Sequence, residues 1–156
     1  MRYTPTESLV PAQASWVAGF QDGLPAAGTK ASAVVLQFQI VQLLHPAFES
    51  SPGHAHWKEV CTRAAGLFSV VFDERYSPAQ VDAFCDALKL FKLGYSWGGP
   101  VSLVVPYDIS KMRSAQLGTW PHKGVLVRFS VGLEDVEDLQ ADIERALQAL
   151  RQGGTS

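Results

Sequence analysis

The sequence predicts an α+β fold in which a mostly antiparallel sheet carries its helices on one face. Two observations support this prediction. Short apolar runs rich in β-branched and aromatic residues alternate with amphipathic segments in the order strand, strand, helix, strand, strand, helix. The chain has 156 residues, of which 47% are hydrophobic and 18% are charged, so it can bury the core of one ordinary globular domain.

Composition argues against several classes of function. The formal net charge of -2, with no cluster of lysine or arginine, argues against a nucleic-acid partner. No apolar run reaches the ~18 residues that a membrane span needs, and the first residues lack the apolar segment of a secretory signal. Cys61 and Cys85 form no CxxC pair, so we expect two reduced thiols in a cytoplasmic protein.

The beginning of the chain has the least regular pattern. Residues 1–39 contain several proline and glycine breaks, which predict a loosely structured lead-in with one short helix near Ser15–Phe20. In VVLQFQIVQLLHP, apolar residues alternate with glutamine and favour a strand, with a short buried helix as the alternative. The His45-Pro46 pair ends this element. The next stretch, SSPGHAHW, is a loop by composition.

The middle of the chain contains the clearest local signal. The apolar run Gly66–Asp73 predicts a strand. It is followed by a capping box, in which Ser77 caps free amides, Pro78 takes the first helical position and Gln80 completes the box. Apolar residues then recur at helical spacing, so we expect the helix to end at about residues 89–90.

The last part of the chain predicts two strands and a helix. Residues 102–107 and 124–132 are β-branched, apolar runs typical of strands. The helix begins near Leu133 with acidic residues in its first turns, which complement the helix dipole, and Gly153-Gly154 end it. Its apolar stripe consists of Leu133, Val136, Leu139, Ile143, Leu147 and Leu150.

The segment GYSWGG, residues 94–99, contains the letters of a hydrolase nucleophile elbow, G-x-S-x-G. An elbow needs a strand before the serine and a helix after it. Here a helix precedes the motif and a strand follows it, and the only later histidine is His122. We therefore predict that Ser96 is not a nucleophile.

The histidines and the acidic run do not predict a metal site. His54, His56 and Cys61 lack the spacing of a structural zinc site, so hydrogen-bonded or surface histidines are the preferred interpretation. The acidic run 134–138 lies at a predicted helix start, where dipole complementation explains it without a divalent cation.

Arg128 is the most informative charge, because it interrupts LVRFSV, a run that otherwise predicts a buried strand. An unpaired guanidinium is costly to bury. One interpretation is structural, with an ion pair or an edge strand that leaves Arg128 in water. The other is functional, with the planar guanidinium binding a carboxylate or phosphate through two parallel N–H groups.

A family resemblance favours the functional interpretation. The segments GLFSVVF, FKLGYSWGGPVSLVVPYD and LVRFSVGLEDVEDLQADIERAL resemble, in order and spacing, the C-terminal domain of the cystathionine β-lyases. These belong to the pyridoxal-phosphate (PLP)-dependent transsulfuration family. The resemblance runs from about Ile40 to Leu150. It implies that residues 40–151 form the small C-terminal domain of a fold-type I PLP enzyme.

The resemblance also implies roles for four residues. Arg128 would bind the α-carboxylate of an amino-acid substrate of the L-cystathionine class. Ser96 and Trp97 would line the same pocket, with Tyr95 beside them. Members of the family cleave the Cβ–S bond of L-cystathionine in methionine metabolism, and they assemble as homo-oligomers.

Departures from the family pattern lower the expectation of activity. The lysine that carries PLP lies in a large N-terminal domain of the family, and Lys30, in AAGTKAS, does not match its surroundings. Arg63 and Pro100-Val101 also differ from the family pattern. We therefore expect no catalytic, cofactor-binding or metal-binding residues in this chain, and no PLP bound by it alone. The alternative is a non-enzymatic α+β module for binding or oligomerisation.

Overall fold

The computed structural model describes residues 40–49, 51–61, 64–113 and 118–152. The predicted lead-in 1–39 with its short helix, Lys30, Arg63 and the glycines at 153–154 lie outside the described residues. Within the described ranges, no helix is long and apolar enough to cross a membrane.

The described elements form a five-stranded sheet with helices. In chain order they are β1 (Ile40–Leu44), α1 (His54–Val60), β2 (Leu67–Phe72), α2 (Pro78–Ala87), β3 (Lys92–Leu93), β4 (Leu103–Tyr107), α3 (Ile109–Met112), β5 (Leu126–Ser130) and α4 (Val136–Gln152). The strand order is β1-β2-β5-β4-β3. All neighbouring pairs are antiparallel except β3 and β4. The predicted α+β fold with a mostly antiparallel sheet is confirmed.

Strand β5 lies at the centre of the sheet, and its alternation decides which face each residue occupies. In register, Arg128 lies between Ser69 of β2 and Val105 of β4. Val127 and Phe129, its neighbours along the strand, belong to the main hydrophobic core. Arg128 therefore lies on the opposite face, in a central strand. The edge-strand interpretation of Arg128 is wrong.

The core fills the space between the sheet and helices α2 and α4. Phe129 is its centre, because its ring stacks on Phe68 at 5.3 Å and meets Phe91 edge-on at 5.3 Å between centroids. Phe84 of α2 completes this aromatic group at 6.5 Å. The most deeply buried aliphatic residues of the core include Val70, Val81, Val104, Val127, Leu139, Ala146 and Leu150.

Helix α2 begins with the predicted capping box. The backbone N–H of Gln80 donates to Ser77 Oγ at 3.3 Å, and the backbone N–H of Ser77 donates to Gln80 Oε1 at 3.0 Å. Pro78 occupies the first turn. The side chain of Gln80 also donates to the Leu150 carbonyl at 3.2 Å, which ties α2 to α4. The helix ends at Ala87, slightly earlier than expected.

Two boundaries differ from the sequence predictions. The expected loop SSPGHAHW continues into α1, where the His54 ring stacks on that of Trp57 one turn later. His54 Nδ1 lies 3.0 Å from the Pro46 carbonyl, which accepts the hydrogen bond from the Nδ1–H tautomer. These side-chain contacts offset the turn-forming composition. Helix α4 begins at Val136 rather than near Leu133, with Asp135 capping it by accepting from the amides of Glu137 and Asp138.

Candidate functional site

The GYSWGG segment forms the turn between β3 and β4, beside the central strand. Gly98 has φ +71°, a left-handed conformation that glycine adopts without steric cost. Its amide donates to the hydroxyl of Ser130, at the end of β5, at 3.3 Å. The turn is therefore folded back onto the strand that carries Arg128.

The Arg128 guanidinium is bound to the backbone of this turn. Its Nη2 donates to the Tyr95 carbonyl at 2.7 Å and lies 3.4 Å from the carbonyls of Gly94 and Ser96. Its hydrogen-bond partners in the described part of the chain are thus carbonyl oxygens rather than a carboxylate. The structural interpretation of Arg128 as half of an ion pair is not what the described residues show.

Two aromatic rings lie against the same guanidinium. Its Cζ atom is 5.6 Å from the ring centroid of Trp97 and 5.8 Å from that of Tyr107, within the range of a cation–π interaction. Tyr95 meets Tyr107 edge-on at 6.3 Å. Sequence analysis missed Tyr107. The signal was its position on β4 diagonal to Arg128, which only the register reveals.

This arrangement leaves the guanidinium able to bind an anion. A guanidinium has two edges, each with two parallel N–H groups, and the two hydrogens of Nη2 belong to different edges. The hydrogen bonds to the carbonyls of residues 94–96 all come from Nη2. Nε and Nη1 make no hydrogen bond within the described residues, so their N–H groups remain as donors for the oxygens of a carboxylate. Arg128 is only half-buried, so a ligand can approach it from solvent.

The structure brings the four predicted site residues together. Tyr95 and Ser96 contribute their carbonyls to Arg128, and Trp97 contributes its ring. The side chains of Tyr95 and Trp97 are 74% and 63% exposed, so they face solvent beside the guanidinium. Large aromatic side chains at such exposure are typical of binding surfaces.

A second set of hydrogen bonds fixes the far end of the turn. Glu134 accepts from the Ser102 amide at 2.8 Å and from its hydroxyl at 2.7 Å. The Ser102 hydroxyl in turn accepts from the Gly132 amide at 2.8 Å. Glu134 precedes α4 and binds the start of β4, so the interpretation of its carboxylate as part of the first helical turn is wrong. Asp135 does cap the helix, since its carboxylate accepts from the Glu137 amide.

Asp142 fixes the chain before the turn. This buried carboxylate accepts from the backbone amides of residues 89–91, at 2.9 Å from Lys89 and 2.7 Å from Leu90, and it is paired with Arg145. Burial alone would raise its pKa, but these donors together hold the pKa of Asp142 below its ordinary value. Sequence analysis missed Asp142, whose signal was a carboxylate adjoining the apolar stripe of α4.

The described histidines and thiols form no metal cluster, and one of the two thiols is buried. Among the described residues, no group of three His, Cys, Asp or Glu side chains could hold a metal ion. His54 and His56 lie on helix α1, not on an extended loop, and Cys61 is an exposed thiol just after it. Burial, with the nearby charges of two aspartates, raises the pKa of Cys85 to about 12, which keeps this thiol protonated.

The described lysines do not fit the role of a PLP-binding residue. Such a lysine needs a neutral amine in a desolvated site. Lys111 pairs with Asp108 at 2.7 Å, and that hydrogen bond raises the pKa of Lys111. Lys123 pairs with Glu74 at 3.4 Å, and both lysine side chains are at least 80% exposed. Lys92 donates its ammonium to a backbone carbonyl.

Several known proteins are similar to this chain. The family model described as Cys/Met metabolism PLP-dependent enzyme matches residues 29–148. A cystathionine beta-lyase of Salmonella typhimurium is 42% identical over 108 residues, which is 67% of this chain. An L-alanine/L-glutamate racemase of Wolbachia pipientis is 37% identical over 112 residues, or 72% of this chain.

The same comparisons cover only part of each relative. The chain spans 27% of the Salmonella protein and 28% of the Wolbachia protein. A crystal structure of cystathionine gamma synthase from Xanthomonas oryzae pv. oryzae superimposes with a TM-score of 0.68 at 23% identity, over 94% of this chain and 35% of that chain. This last match is a likeness of fold.

Proposed function

The chain belongs to the family of PLP-dependent enzymes of Cys/Met metabolism, and from this premise we propose that residues 40–151 are a C-terminal small domain that binds the α-carboxylate of an amino-acid substrate. Arg128 binds the carboxylate, Ser96 and Trp97 line the pocket beside it, and Tyr95 flanks them. The observation that supports this proposal is a half-buried guanidinium whose Nη2 is held by backbone carbonyls, whose Nε and Nη1 make no hydrogen bond within the described residues, and which lies against the rings of Trp97 and Tyr107.

The proposed substrate class follows from what the relatives have in common. A cystathionine beta-lyase and an amino-acid racemase, by their names, act on molecules with an α-carboxylate next to an α-amino group. A carboxylate site is therefore compatible with either reaction. We propose L-cystathionine-like amino acids as ligands, because the cystathionine beta-lyases of Salmonella typhimurium and Escherichia coli are 42% and 38% identical to this chain.

The proposal includes no independent catalysis. PLP, when bound to members of this family, supplies the electron sink that acidifies the α-carbon. The described lysines are all exposed, and none of them lies in the desolvated site that a cofactor-binding lysine needs. We propose that the described residues act as a substrate-binding wall, and that the lyase reaction needs residues beyond them.

The binding half of the proposal is tested by NMR titration of the ¹⁵N-labelled chain with L-cystathionine. We expect the largest shifts at the amides of residues 94–98 and at the Arg128 side chain, because these groups surround the carboxylate. The matched probe is cystathionine with both carboxylates amidated, which should cause no saturable shift. Saturable binding that leaves residues 94–98 unshifted would overturn the proposal.

The catalytic half is tested by cofactor trapping. The purified chain is incubated with PLP, reduced with borohydride and digested, and modified lysines are mapped by mass spectrometry. We expect scattered, substoichiometric labelling of the six lysines in the sequence, with no preference for Lys30. One stoichiometric adduct would contradict the absence of a cofactor site.

A second candidate function is an oligomerisation module, and one observation favours it. Several large apolar side chains around the turn are exposed, namely Leu93, Tyr95, Trp97, Val101 and Leu133. Such a surface is usually covered by another subunit. We propose that the chain self-associates or joins a full-length homologue. Light scattering coupled to size exclusion tests this, and a monomer at all concentrations, with and without the homologue, contradicts it.

A further inference from the structure

Tyr107 lies on the proposed carboxylate site without belonging to the GYSWGG turn. It is the last residue of β4, and its ring centroid is 5.8 Å from Arg128 Cζ. Tyr107 is half-buried, and its ring is also contacted edge-on by Tyr95 at 6.3 Å. The ring is therefore placed by the sheet, whereas the exposed Trp97 is placed by the turn.

From this geometry, and resting on the proposed function, we infer that Tyr107 is a positioning residue for carboxylate binding. Together with Trp97 it contacts the guanidinium of Arg128, while the Tyr95 carbonyl fixes Nη2. Ring contacts and the carbonyl bond restrict different motions, namely rotation of the guanidinium plane and displacement of its end. The Nε and Nη1 donors are then held in one orientation before any ligand arrives.

The physical gain is preorganisation. A free arginine side chain has many rotamers, and ordering them at the moment of binding lowers affinity. A guanidinium already held by an aromatic ring has lost most of that freedom in the ligand-free protein. Tyr107 is suited to this role because β4 is hydrogen-bonded along its length to β5, the strand that carries Arg128.

The test compares three variants of the full chain by calorimetric titration with L-cystathionine. Tyr107→Leu removes the π face, and we expect the dissociation constant to rise about fivefold. Tyr107→Phe keeps the π face and should have the dissociation constant of the wild type. Tyr76→Leu is the matched control, because Tyr76 is also half-buried and contacts Phe72, a residue of the helix-side core. Equal affinities for Tyr107→Leu and Tyr107→Phe overturn the inference.

A ligand-free measurement separates this inference from the proposed function. The Arg128 Nε–Hε signal is assigned by NMR, and its ¹⁵N relaxation is measured in each variant. We expect the motion of the Arg128 side chain to increase in Tyr107→Leu. In Tyr107→Phe and Tyr76→Leu it should equal that of the wild type. If the wild type fails to bind L-cystathionine, the proposed function fails. If Arg128 motion is unchanged in Tyr107→Leu, the positioning role of Tyr107 fails, whatever the binding result.

Discussion

Two neighbouring stretches of backbone are each held by one charged side chain, and they differ in sign and in burial. Before β3, the buried Asp142 carboxylate accepts from the amides of residues 89–91. After β3, the half-buried Arg128 guanidinium donates to the carbonyls of residues 94–96. Strand β3 has only two residues and pairs with β4, and these two side chains hold the backbone on either side of it.

This difference predicts which charge supports the fold and which is available for a ligand. Asp142 is 1% exposed, and its oxygens are already occupied by backbone amides and Arg145. It has no capacity left for a ligand. Arg128 is half-buried between two aromatic rings, and its Nε and Nη1 make no hydrogen bond within the described residues. We therefore expect changes at Asp142 to affect stability, and changes at Arg128 to affect binding.

The largest expected effect is the loss of stability in Asp142→Asn. The asparagine side chain accepts hydrogen bonds from three backbone N–H groups more weakly than a carboxylate does. Its NH₂ group would also face these backbone N–H groups, which are donors and cannot accept from it. We expect the free energy of unfolding to fall by roughly 3 kcal/mol, measured by urea denaturation. The control is Glu144→Gln, an exposed acid-to-amide change on the same helix, expected within about 0.5 kcal/mol of wild type. Equal stabilities of the two variants would contradict the structural role of Asp142.

A smaller loss is expected in Gly132→Ala, which tests the second anchor of the turn. A Cβ atom at Gly132 would lie 2.4 Å from the Pro100 carbonyl oxygen and 2.7 Å from the Ser102 amide nitrogen. These are backbone atoms, so the strand connection must shift, and we expect a loss of roughly 2 kcal/mol in urea denaturation. Gly53→Ala is the control, because a Cβ there meets nothing within 4 Å. A fully stable Gly132→Ala would show that the close approach is not required.

The smallest expected effect is a pH dependence. The pKa of Asp142 is lowered in the folded protein, so the folded state binds fewer protons than the unfolded chain. The stability from Asp142 is thus fully present above its unfolded pKa of about 3.9, and it is lost as the pH falls through the lower folded pKa. In urea denaturation between about pH 6 and about pH 3, the wild type should lose more stability than Asp142→Asn. Parallel losses would contradict the assignment.

Much of the fold could be predicted from the sequence because it depends on local signals. The capping box at Ser77, the β-branched run of β2 and the apolar stripe of α4 each lie within one segment. Where contacts distant in sequence decide the structure, the predictions failed. The two-residue β3 exists through pairing with β4, and Leu133, outside α4, donates its amide to the distant Pro100 carbonyl.

The candidate site likewise contains residues that could be identified from the sequence and residues that could not. Arg128 and the GYSWGG turn were identified because a charge in an apolar strand and a glycine-rich turn are visible in the sequence, and a family resemblance joined them. Tyr107 and Asp142 were missed, since their partners lie on other elements. The Tyr107 ring reaches Arg128 only through the register of β4 with β5, and no pattern within one segment contains that information.

The measurement that tests the binding role of Arg128 most directly is calorimetric titration of L-cystathionine into the wild type and Arg128→Lys. Lysine keeps the positive charge but lacks the two parallel donors of a guanidinium edge. Arg128 is half-buried and forms no ion pair among the described residues. We therefore expect the free energy of unfolding of Arg128→Lys, measured by urea denaturation, to stay within about 1 kcal/mol of the wild-type value. The dissociation constant should rise at least about tenfold. Equal affinities with equal stabilities would show that the GYSWGG turn and Arg128 do not form a carboxylate site.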